Sequence, residues 1–350
     1  MDSCNFNIGP DDRILVTGAG GFIGRRLVFR LVEYGFRNIR LLVRSSRDLD
    51  WIESARRNTD GVDLELVYGN LLRKEDCVRA CKDVAVVFHL AAGRGEKSYP
   101  DAYLNSVVTT RNLMVASSQS EALVRFVNVS SFAVYSNTTG NLLDETSAVE
   151  QRPETRGEAY CFAKVKQENI VREYGAALAL PYVIVRPGVV YGPGNESIHG
   201  RVGTDTFGIF LHLGGSNTVP LTYVDNCAEA IVLAGIRRGI DGEVFNIVDD
   251  DLPTSRQFLS LYKRYVKQFR SVYVPHVISY LLCRSWEHYS RASKGQLPPV
   301  FNRARWYANW RPTTYNNRKA KERLGWTPKL PTATCLERYF EACRQKEQHA

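Results

Sequence analysis

The chain has 350 residues, of which 44% are hydrophobic, and its formal net charge is +9. A chain of this length buries a substantial core, either as one large α/β unit or as a nucleotide domain that carries a smaller lobe. No run reaches the ~18 consecutive apolar residues that a membrane-spanning helix needs, and the first residues lack the pattern of a secretory signal. We therefore expect neither a transmembrane segment nor secretion.

The eight cysteines are scattered through the chain without a C-x-x-C pair. This usage indicates reduced thiols and predicts a cytoplasmic location. Cys77 and Cys81 stand four residues apart on a predicted helix, but no histidine lies nearby to complete a ligand set. We therefore expect no metal site.

Positive charge is concentrated in the C-terminal part of the chain. From Arg256 to the end there are 19 lysine and arginine residues against 5 aspartate and glutamate residues. Such a region attracts an anionic substrate or an anionic membrane surface, or is a solvated helical face. A nucleic-acid partner is not expected, because no basic recognition motif or aromatic platform accompanies the charge.

Short apolar runs alternate with helical stretches in the first half of the chain, and this alternation predicts parallel βαβ units with right-handed crossovers. We predict an α/β fold, a Rossmann-like doubly wound parallel sheet with a smaller, mostly helical C-terminal substrate lobe. The predicted strands are 13–17, 39–43, 64–68, 84–89, 124–130 and 182–186, with 245–248 as a seventh.

The pattern changes after Pro193. Residues 194–219 are rich in glycine and polar residues, whereas 256–283 and 286–293 have a helical pattern. We therefore predict two interleaved parts. A nucleotide-binding domain comprises residues 1–193, with 224–250 returning to its sheet, and a substrate-binding lobe lies within 194–350.

A glycine-rich turn follows the first predicted strand, with Gly18, Gly21 and Gly24 at three-residue spacing. In such a turn the first glycine allows the sharp bend, the second lets the backbone approach a phosphate, and the third lets the next helix, here 25–34, pack closely. The N-terminus of that helix then faces the anion. The spacing predicts a pyrophosphate site; a tight turn without a ligand is the alternative.

Two further motifs carry chemistry. Tyr160 and Lys164 form a Tyr-x-x-x-Lys motif, and Ser130 and Ser131 precede it by about thirty residues. A tyrosine with an unperturbed pKa of about 10 is a poor base at neutral pH. Lys164, one helical turn later, places an ammonium on the same face and lowers the pKa of the phenol. Singly, Tyr160 would be a core aromatic residue and the serines a strand end; together they predict an acid/base site.

Together these motifs resemble the short-chain dehydrogenase/reductase superfamily. The length and the C-terminal half resemble its extended branch, which includes nucleotide-sugar epimerases, dehydratases and 3β-hydroxysteroid dehydrogenase-like enzymes. The resemblance extends from about residue 13 to about residue 330. Its further matching segments are 89–92 (His-Leu-Ala-Ala), 186–193, 223–226 and 324–328.

The resemblance implies roles for individual residues. Tyr160 is the acid/base, Lys164 also contacts the nicotinamide ribose, and Ser131 holds the substrate oxygen. Ser131 is chosen over Ser130 because it lies three residues before Val134, where the family places its serine or threonine. The implied cofactor-binding residues are Gly18, Gly21, Phe22, Ile23, Gly24, Arg44, Asn70, Leu71, Ala91, Ala92, Tyr160, Lys164, Pro187, Val189 and Val190.

The end of the second strand distinguishes NAD from NADP, because an acidic residue there binds the ribose 2′-hydroxyl. The chain has Arg44 and Arg47 there and no carboxylate. Arg44, with Ser45 as a second donor, suits the 2′-phosphate of NADP, and stacking of Arg44 on the adenine is the alternative. We therefore predict NADP, with NAD as the alternative. Asn70 stands where the family usually has the aspartate that contacts the adenine, and its amide oxygen can accept the same bond.

At several positions the chain departs from the family pattern, and these departures reduce the number of reactions that the resemblance allows. Related 4,6-dehydratases usually have an Asp-Glu pair where this chain has Phe132 and Ala133, which cannot transfer a proton. Residues 219–223 lack the Arg-Asp-Tyr/Phe sequence common in sugar-nucleotide enzymes. The helix motif Asn-Val-x-Gly-Thr is degraded at 106–110, and Asn105 is one position out of register, so we assign it no role. Dehydratase chemistry is disfavoured.

These observations predict an NAD(P)-dependent oxidoreductase, similar to 3β-hydroxysteroid dehydrogenases, that interconverts a secondary alcohol and a ketone by hydride transfer. The alternatives are a nucleotide-sugar epimerase with tightly bound NAD and a non-catalytic NADP-binding sensor or scaffold. The expected partner is a small-molecule substrate, anionic or resembling a sterol or polyketide, and the resemblance implies a homodimer. Its pocket is expected to involve 94–97, 189–191, 194–203 and the lobe to about residue 305.

Overall fold

The computed structural model describes residues 6–44, 49–57, 61–93, 98–206, 208–293, 296–298 and 300–348. Its strands are β1 (Ile14–Thr17), β2 (Asn38–Val43), β3 (Asp63–Tyr68), β4 (Val86–His89), β5 (Arg125–Val129), β6 (Leu142–Leu143), β7 (Tyr182–Pro187), β8 (Val189–Tyr191), β9 (Gly203–Thr206), β10 (Ile209–His212), β11 (Leu221–Tyr223), β12 (Val244–Ile247), β13 (Ser271–Tyr273) and β14 (Thr314–Tyr315). Its α-helices are α1 (Phe22–Glu33), α2 (Leu49–Arg57), α3 (Lys74–Cys81), α4 (Tyr99–Ala102), α5 (Thr109–Ser117), α6 (Ala159–Ala177), α7 (Val224–Ile236), α8 (Ser255–Tyr265), α9 (His276–Ala292), α10 (Arg303–Asn309) and α11 (Thr332–Gln348). Shorter helical segments are Phe132–Val134 and Pro153–Arg156, of 3₁₀ type, and Tyr103–Val108 and Ala320–Leu324, of π type.

Seven parallel strands form the central sheet in the order β12-β7-β5-β4-β1-β2-β3. The order reverses between β1 and β4, which makes this the switch point where open α/β sheets bind ligands. Each of the seven predicted strands is confirmed to within two residues at either end. The doubly wound α/β prediction is therefore confirmed.

Helices cover both faces of the sheet, so that its strands are apolar on both sides. Val16 in β1 belongs to a buried cluster that also contains Leu27 of α1 and Ile231 of α7. Its neighbour Leu15 belongs to the opposite cluster, with Leu113 of α5. Successive side chains of a strand alternate between faces, so one continuous apolar run supplies two cores.

The C-terminal lobe differs from its prediction in one respect. The predicted helices 256–283 and 286–293 are wrong in their boundaries, because α8 ends at Tyr265 and α9 runs without a break from His276 to Ala292. Between them β13 pairs with β10, which forms a hairpin with β9. Pro275 and the β-branched residues before it favour extended chain rather than helix.

The lobe has its own aromatic core. Phe210 of β10, Tyr262 of α8 and Phe340 of α11 are buried in one cluster. By contrast, one face of α9 exposes large apolar side chains, including Val277 and Leu282. Within the described ranges, no helix combines the length and the hydrophobicity needed to cross a membrane.

Candidate active site

The strands at the switch point end at one edge of the sheet, and the predicted site residues follow them directly. Gly18 comes after β1, Ser130 after β5 and Gly188 after β7. Leu90, after β4, donates its backbone N–H to the Thr17 carbonyl oxygen at 3.2 Å. This parallel arrangement gathers segments that are more than 100 residues apart in the chain.

The glycine turn has the predicted shape. Gly18 has a φ of +71°, and a Cβ atom there would lie 2.8 Å from the backbone nitrogen of Ala91. At Gly24 a Cβ would lie 2.1 Å from the Gly18 carbonyl oxygen, so a larger residue would push α1 away from β1. Gly21 is the N-cap of α1, which begins three residues earlier than predicted, and its backbone N–H bonds Gly18.

Phe22 and Ile23, the first residues of α1, lie on either side of this helix end. The Phe22 ring faces Gly194, where an added Cβ would be 3.3 Å from it, and Ile23 packs on the core. The first turn of α1 has no acidic residue. Its unpaired N–H groups and dipole therefore suit an anion.

The residues predicted to contact the adenosine end lie after β2 and β3. Arg44 is exposed directly after β2, while Ser45 and Arg47 lie outside the described residues. The Asn70 side-chain oxygen accepts a bond from the Leu72 N–H at 3.0 Å, and its backbone N–H donates to Asp76 at 2.8 Å. That oxygen already caps its own turn, so its contact with an adenine stays a prediction.

Buried partners hold the neighbouring loops. The Asn112 side chain donates to the Leu71 carbonyl oxygen at 3.0 Å. Ser106, at the position of the family's motif asparagine, is fully buried and accepts from the Gly93 N–H at 3.0 Å. The Asn105 carbonyl oxygen accepts a bond from the hydroxyl of Thr109, the first residue of α5. Residues 94–97, predicted at the pocket, lie outside the described residues.

Ser131 and Tyr160 line one cavity of about 370 Å³. Ser131 is the N-cap of the 3₁₀ turn that follows β5, and its Oγ accepts a bond from the Ala133 N–H at 3.2 Å. Tyr160 is the second residue of α6, and 41% of its surface is exposed. Lys164, one turn along α6, places its Nζ 6.0 Å from the centroid of the Tyr160 ring. The cavity is lined by Ser131, Phe132, Ala133, Arg156, Gly157, Glu158, Ala159, Tyr160, Cys161, Gly188, Val189, His199, Arg201, Arg305 and Asn309.

The two adjacent serines have different surroundings. Ser130 is buried, and its Oγ donates to the Glu168 carboxylate at 2.6 Å. Ser131 faces the cavity instead. Val189 also lines the cavity, Pro187 ends β7 inside the sheet, and the side chain of Val190 packs on the core. Ala91 and Ala92 are half-buried beside the glycine turn.

Lys164 is almost completely buried and is held by two acceptors. Its Nζ donates to the Val129 carbonyl oxygen at 2.8 Å and to Gln167 Oε1 at 3.0 Å. Burial lowers its pKa to about 8, against the opposing effect of the Glu168 carboxylate. An ammonium has three donor hydrogens, so these two bonds leave a third for another acceptor.

A chain of buried polar groups continues from Lys164 to the glycine turn. Gln167 Nε2 donates to Thr110 Oγ1 at 2.8 Å, and Thr110 is 2.8 Å from His89 Nε2. His89 Nδ1 lies 2.8 Å from Thr17 Oγ1, which accepts the Ala91 N–H at 3.3 Å. Burial lowers the pKa of His89 to about 3, so the ring is neutral.

This chain of bonds was not predicted from the sequence. Thr110 also donates to the Ser106 carbonyl at 2.6 Å, so it accepts from both Gln167 and His89. That pattern assigns the imidazole proton of His89 to Nε2. The only sequence signal was the three-residue spacing of Lys164 and Gln167, which puts both on one face of α6.

A family model and several known proteins match this chain. A family model described as the NAD dependent epimerase/dehydratase family matches residues 14–247. One relative is the Stigmatella aurantiaca protein named 4-hydroxy-2-methyl-3-oxo-4-farnesyl-3,4-dihydroquinoline-1-oxide ketoreductase. It is 26% identical over 71% of this chain and 72% of its own length. The Arabidopsis thaliana 3beta-hydroxysteroid-dehydrogenase/decarboxylase isoform 1 is 24% identical over 94% of this chain and 79% of its own.

A solved structure shows the same fold. UDP-glucuronic acid 4-epimerase from Bacillus cereus, in complex with UDP-glucuronic acid and NAD, has a TM-score of 0.71 and 21% identity over 95% of this chain and 99% of its own. Some further curated relatives are matched over only 60–64% of their length. The motifs, the sheet order and the matched model together show that this chain belongs to the NAD dependent epimerase/dehydratase family, enzymes of the extended short-chain dehydrogenase/reductase superfamily.

Proposed function

We propose that this protein interconverts a secondary alcohol and a ketone, with NADP as its favoured cofactor and Ser131, Tyr160 and Lys164 as its catalytic residues. One observation carries the proposal. Ser131 and Tyr160 line one cavity at the sheet edge where the glycine turn opens, and Lys164 lies beside the Tyr160 ring. Three residue types with complementary roles thus meet at one place.

The glycine turn fits a dinucleotide. Backbone atoms occupy the space that side chains at Gly18 and Gly24 would need. Because these residues are glycines, α1 lies close to β1, and the N-terminus of α1 can face an anion. Phe22 and Ile23, Ala91 and Ala92 would surround the cofactor there, with Leu71, Pro187, Val189 and Val190 farther along the same edge. When bound, the nicotinamide supplies or accepts the hydride.

The side chains supply the proton chemistry. Ser131 Oγ accepts from the Ala133 N–H, so its own hydrogen is available to the substrate oxygen. Tyr160 gives its phenolic proton to that oxygen during reduction and takes it back during oxidation. The third hydrogen of Lys164 is available to a ribose hydroxyl, and its positive charge makes Tyr160 a stronger acid.

The cavity also supports the proposed division of the chain. Ser131 and Tyr160 come from the part assigned to the nucleotide domain, residues 1–193 and 224–250, whereas Arg201 and Arg305 come from the part assigned to the substrate lobe. A substrate held by the lobe would thus meet the acid/base residues of the domain. The homodimer and the cytoplasmic location stay predictions.

Cofactor choice is tested at Arg44. We expect the wild-type protein to bind NADPH more tightly than NADH and Arg44→Asp to weaken NADPH binding about 10- to 100-fold, because a charge-assisted bond is replaced by repulsion. Fluorescence titration with both cofactors measures this, and Arg318→Asp, at an exposed arginine paired with Glu322, is the control. Equal affinities, or a preference of the wild type for NADH, would contradict the NADP assignment.

The same titration separates the oxidoreductase from the two alternatives. A nucleotide-sugar epimerase reoxidises its cofactor within each turnover, so cofactor that co-purifies and does not exchange would support that activity. Net consumption of NADPH with a ketone supports the oxidoreductase. A sensor or scaffold would bind cofactor without turnover, and it would have no need of all three residues Ser131, Tyr160 and Lys164.

The buried lysine predicts a pH dependence. The pKa of Lys164 is lowered to about 8, so its charge is lost as the pH rises through that value, and we expect kcat/KM for ketone reduction to fall there. Gln167→Glu places a carboxylate beside Nζ and should move this alkaline limb upward by about one pH unit or more. Gln167→Leu is the matched variant without charge. An unmoved limb in Gln167→Glu would exclude Lys164 as the titrating group.

A further inference from the structure

The cavity that contains Ser131 and Tyr160 carries an excess of positive charge. Three arginines line it, Arg156, Arg201 and Arg305, against one carboxylate, Glu158. Glu158 pairs with Arg156 at 2.5 Å and with Arg305 at 3.1 Å, so both of its oxygens are used by these two guanidinium groups.

Arg156 is further committed to the fold. Its Nη1 donates to the carbonyl oxygen of Ala133 at 2.7 Å and lies 3.3 Å from the thiol of Cys161. It therefore ties the turn after β5 to the start of α6. Arg305, in turn, donates to the carbonyl oxygen of Val300 at 2.8 Å. Both arginines therefore already use part of their donor capacity, and their charge, within the protein.

Arg201 differs from these two. Its surface is 8% exposed, and its Nη1 donates to the Tyr315 hydroxyl at 3.3 Å. Among the described residues, no carboxylate lies within ion-pair distance of its guanidinium. Buried charges in proteins are normally paired, because the loss of hydration is costly. A neutral tyrosine does not neutralise this charge.

The backbone around Arg201 is built to hold it in place. The Arg201 N–H donates to His199 Nδ1 at 3.1 Å, and Trp310 donates its indole N–H to the Gly200 carbonyl at 2.9 Å. His199 Nδ1 accepts that bond, so this nitrogen carries no proton. The backbone at Arg201 is thus held in place, and its guanidinium lines the cavity without an ion-pair partner among the described residues.

We propose that the substrate carries an anionic group, a carboxylate or a phosphate, and that Arg201 binds it. A guanidinium presents five donors in a plane, of which Tyr315 takes one, and its fork matches the oxygens of either anion. This inference rests on the proposed function, since it places the anion in the cavity that Ser131 and Tyr160 share. It favours an anionic substrate over an uncharged sterol or polyketide.

The experiment measures anion binding to the whole protein saturated with NADP⁺, so that the glycine turn is occupied. Isothermal titration calorimetry with succinate and with pyrophosphate distinguishes the two anion classes. We expect at least one of them to bind, and Arg201→Met to weaken its binding by about 10- to 100-fold, the value of a charge-assisted bond. Arg318→Met, at a surface arginine, is the matched control.

Each outcome has one meaning. Binding lost only in Arg201→Met supports the inference, and the better-bound probe identifies a carboxylate or a phosphate substrate. Equal binding in both variants, or no binding of either anion to the wild type, overturns it. NADP⁺ affinity and the melting temperature of Arg201→Met show whether that variant is folded, and Arg201→Gln, which keeps a polar group that can bond Tyr315 but removes the charge, replaces it if it is not. Failure of the wild type to bind NADP⁺ would instead contradict the proposed function.

Discussion

Replacing Tyr160 with phenylalanine is expected to lower kcat for ketone reduction by about a thousandfold, within the range by which a positioned acid or base accelerates a reaction. The variant keeps the ring beside Lys164 but has no proton to give. Because 41% of the Tyr160 surface is exposed, little core packing depends on its hydroxyl. The free energy of unfolding should therefore change little, which separates a loss of chemistry from a loss of structure.

Tyr103 offers a matched control for this substitution. It lies in the π-helical segment before α5, and 40% of its surface is exposed, nearly the same as for Tyr160. Tyr103→Phe removes the same atom from a residue that does not line the cavity, so we expect activity within about twofold of the wild type. If Tyr160→Phe retained more than a tenth of the wild-type kcat, its assignment as the acid/base would be wrong.

Ser131→Ala should have a smaller effect than Tyr160→Phe. Its hydroxyl orients the substrate oxygen without transferring the proton, and the backbone around it stays in place. The loss of Ser131 Oγ leaves the Ala133 N–H without its acceptor, so the 3₁₀ turn loses one capping bond, worth about 1 kcal/mol. Steady-state kinetics of the two variants, measured with the same ketone, would rank their contributions.

The sheet could be predicted from the sequence because its signals are local. Each buried parallel strand is a short apolar run, and the helices between them force the right-handed βαβ winding. The spacing of Gly18, Gly21 and Gly24 likewise reflects contacts within one turn, where backbone atoms leave no room for a Cβ. Such features need no knowledge of the rest of the chain.

The lobe was harder to predict because its strands depend on distant partners. β10 pairs with β9 next to it but also with β13, about 60 residues later. The sequence between α8 and α9 has too few residues to show a clear strand period. Tertiary pairing therefore decides its conformation, as it often does for short strands.

The support of the candidate site was also beyond sequence reasoning. Gln167, Thr110 and His89 are brought together by the packing of α5 and α6 against β4, and their spacing in the chain is 57 and 21 residues. Arg201 lies in the segment 194–203 that was predicted to line the pocket, but the sequence did not distinguish it from other arginines, because its role depends on which carboxylates lie nearby. Buried polar groups acquire their role from partners that only the fold supplies.

The second large effect is expected at Glu168, which lies on α6 one turn after Lys164. Both of its oxygens are used: Arg186 of β7 donates to them at 2.8 and 2.6 Å, and Ser130 donates to one at 2.6 Å. Arg186 also donates to the Tyr135 hydroxyl at 2.8 Å. This buried network joins the helix that carries Tyr160 to β7 and to Ser130, the residue that follows β5.

Glu168→Ala should lower the free energy of unfolding by about 3–5 kcal/mol, because it leaves the Arg186 charge buried without its partner. Urea unfolding measures this loss. The double variant Glu168→Leu with Arg186→Met is the control, since removing both charges avoids the unpaired one and should cost less than the single change. A single variant no less stable than the double would show that the ion pair is not what holds α6.

The pH dependence of stability gives an independent test of the same ion pair. Burial alone would raise the pKa of Glu168, but the Arg186 hydrogen bonds and charge, with Ser130 and Arg172, outweigh it and lower the pKa. A lowered carboxyl pKa means that the unfolded chain binds the proton more readily, so this stabilisation is present above the unfolded pKa of about 4.3 and is lost as the pH falls below it. Wild-type stability should therefore fall more steeply below this pH than that of the double variant. If the two curves ran parallel, other groups would cause the acid sensitivity, and the Glu168–Arg186 pair would make no contribution to it.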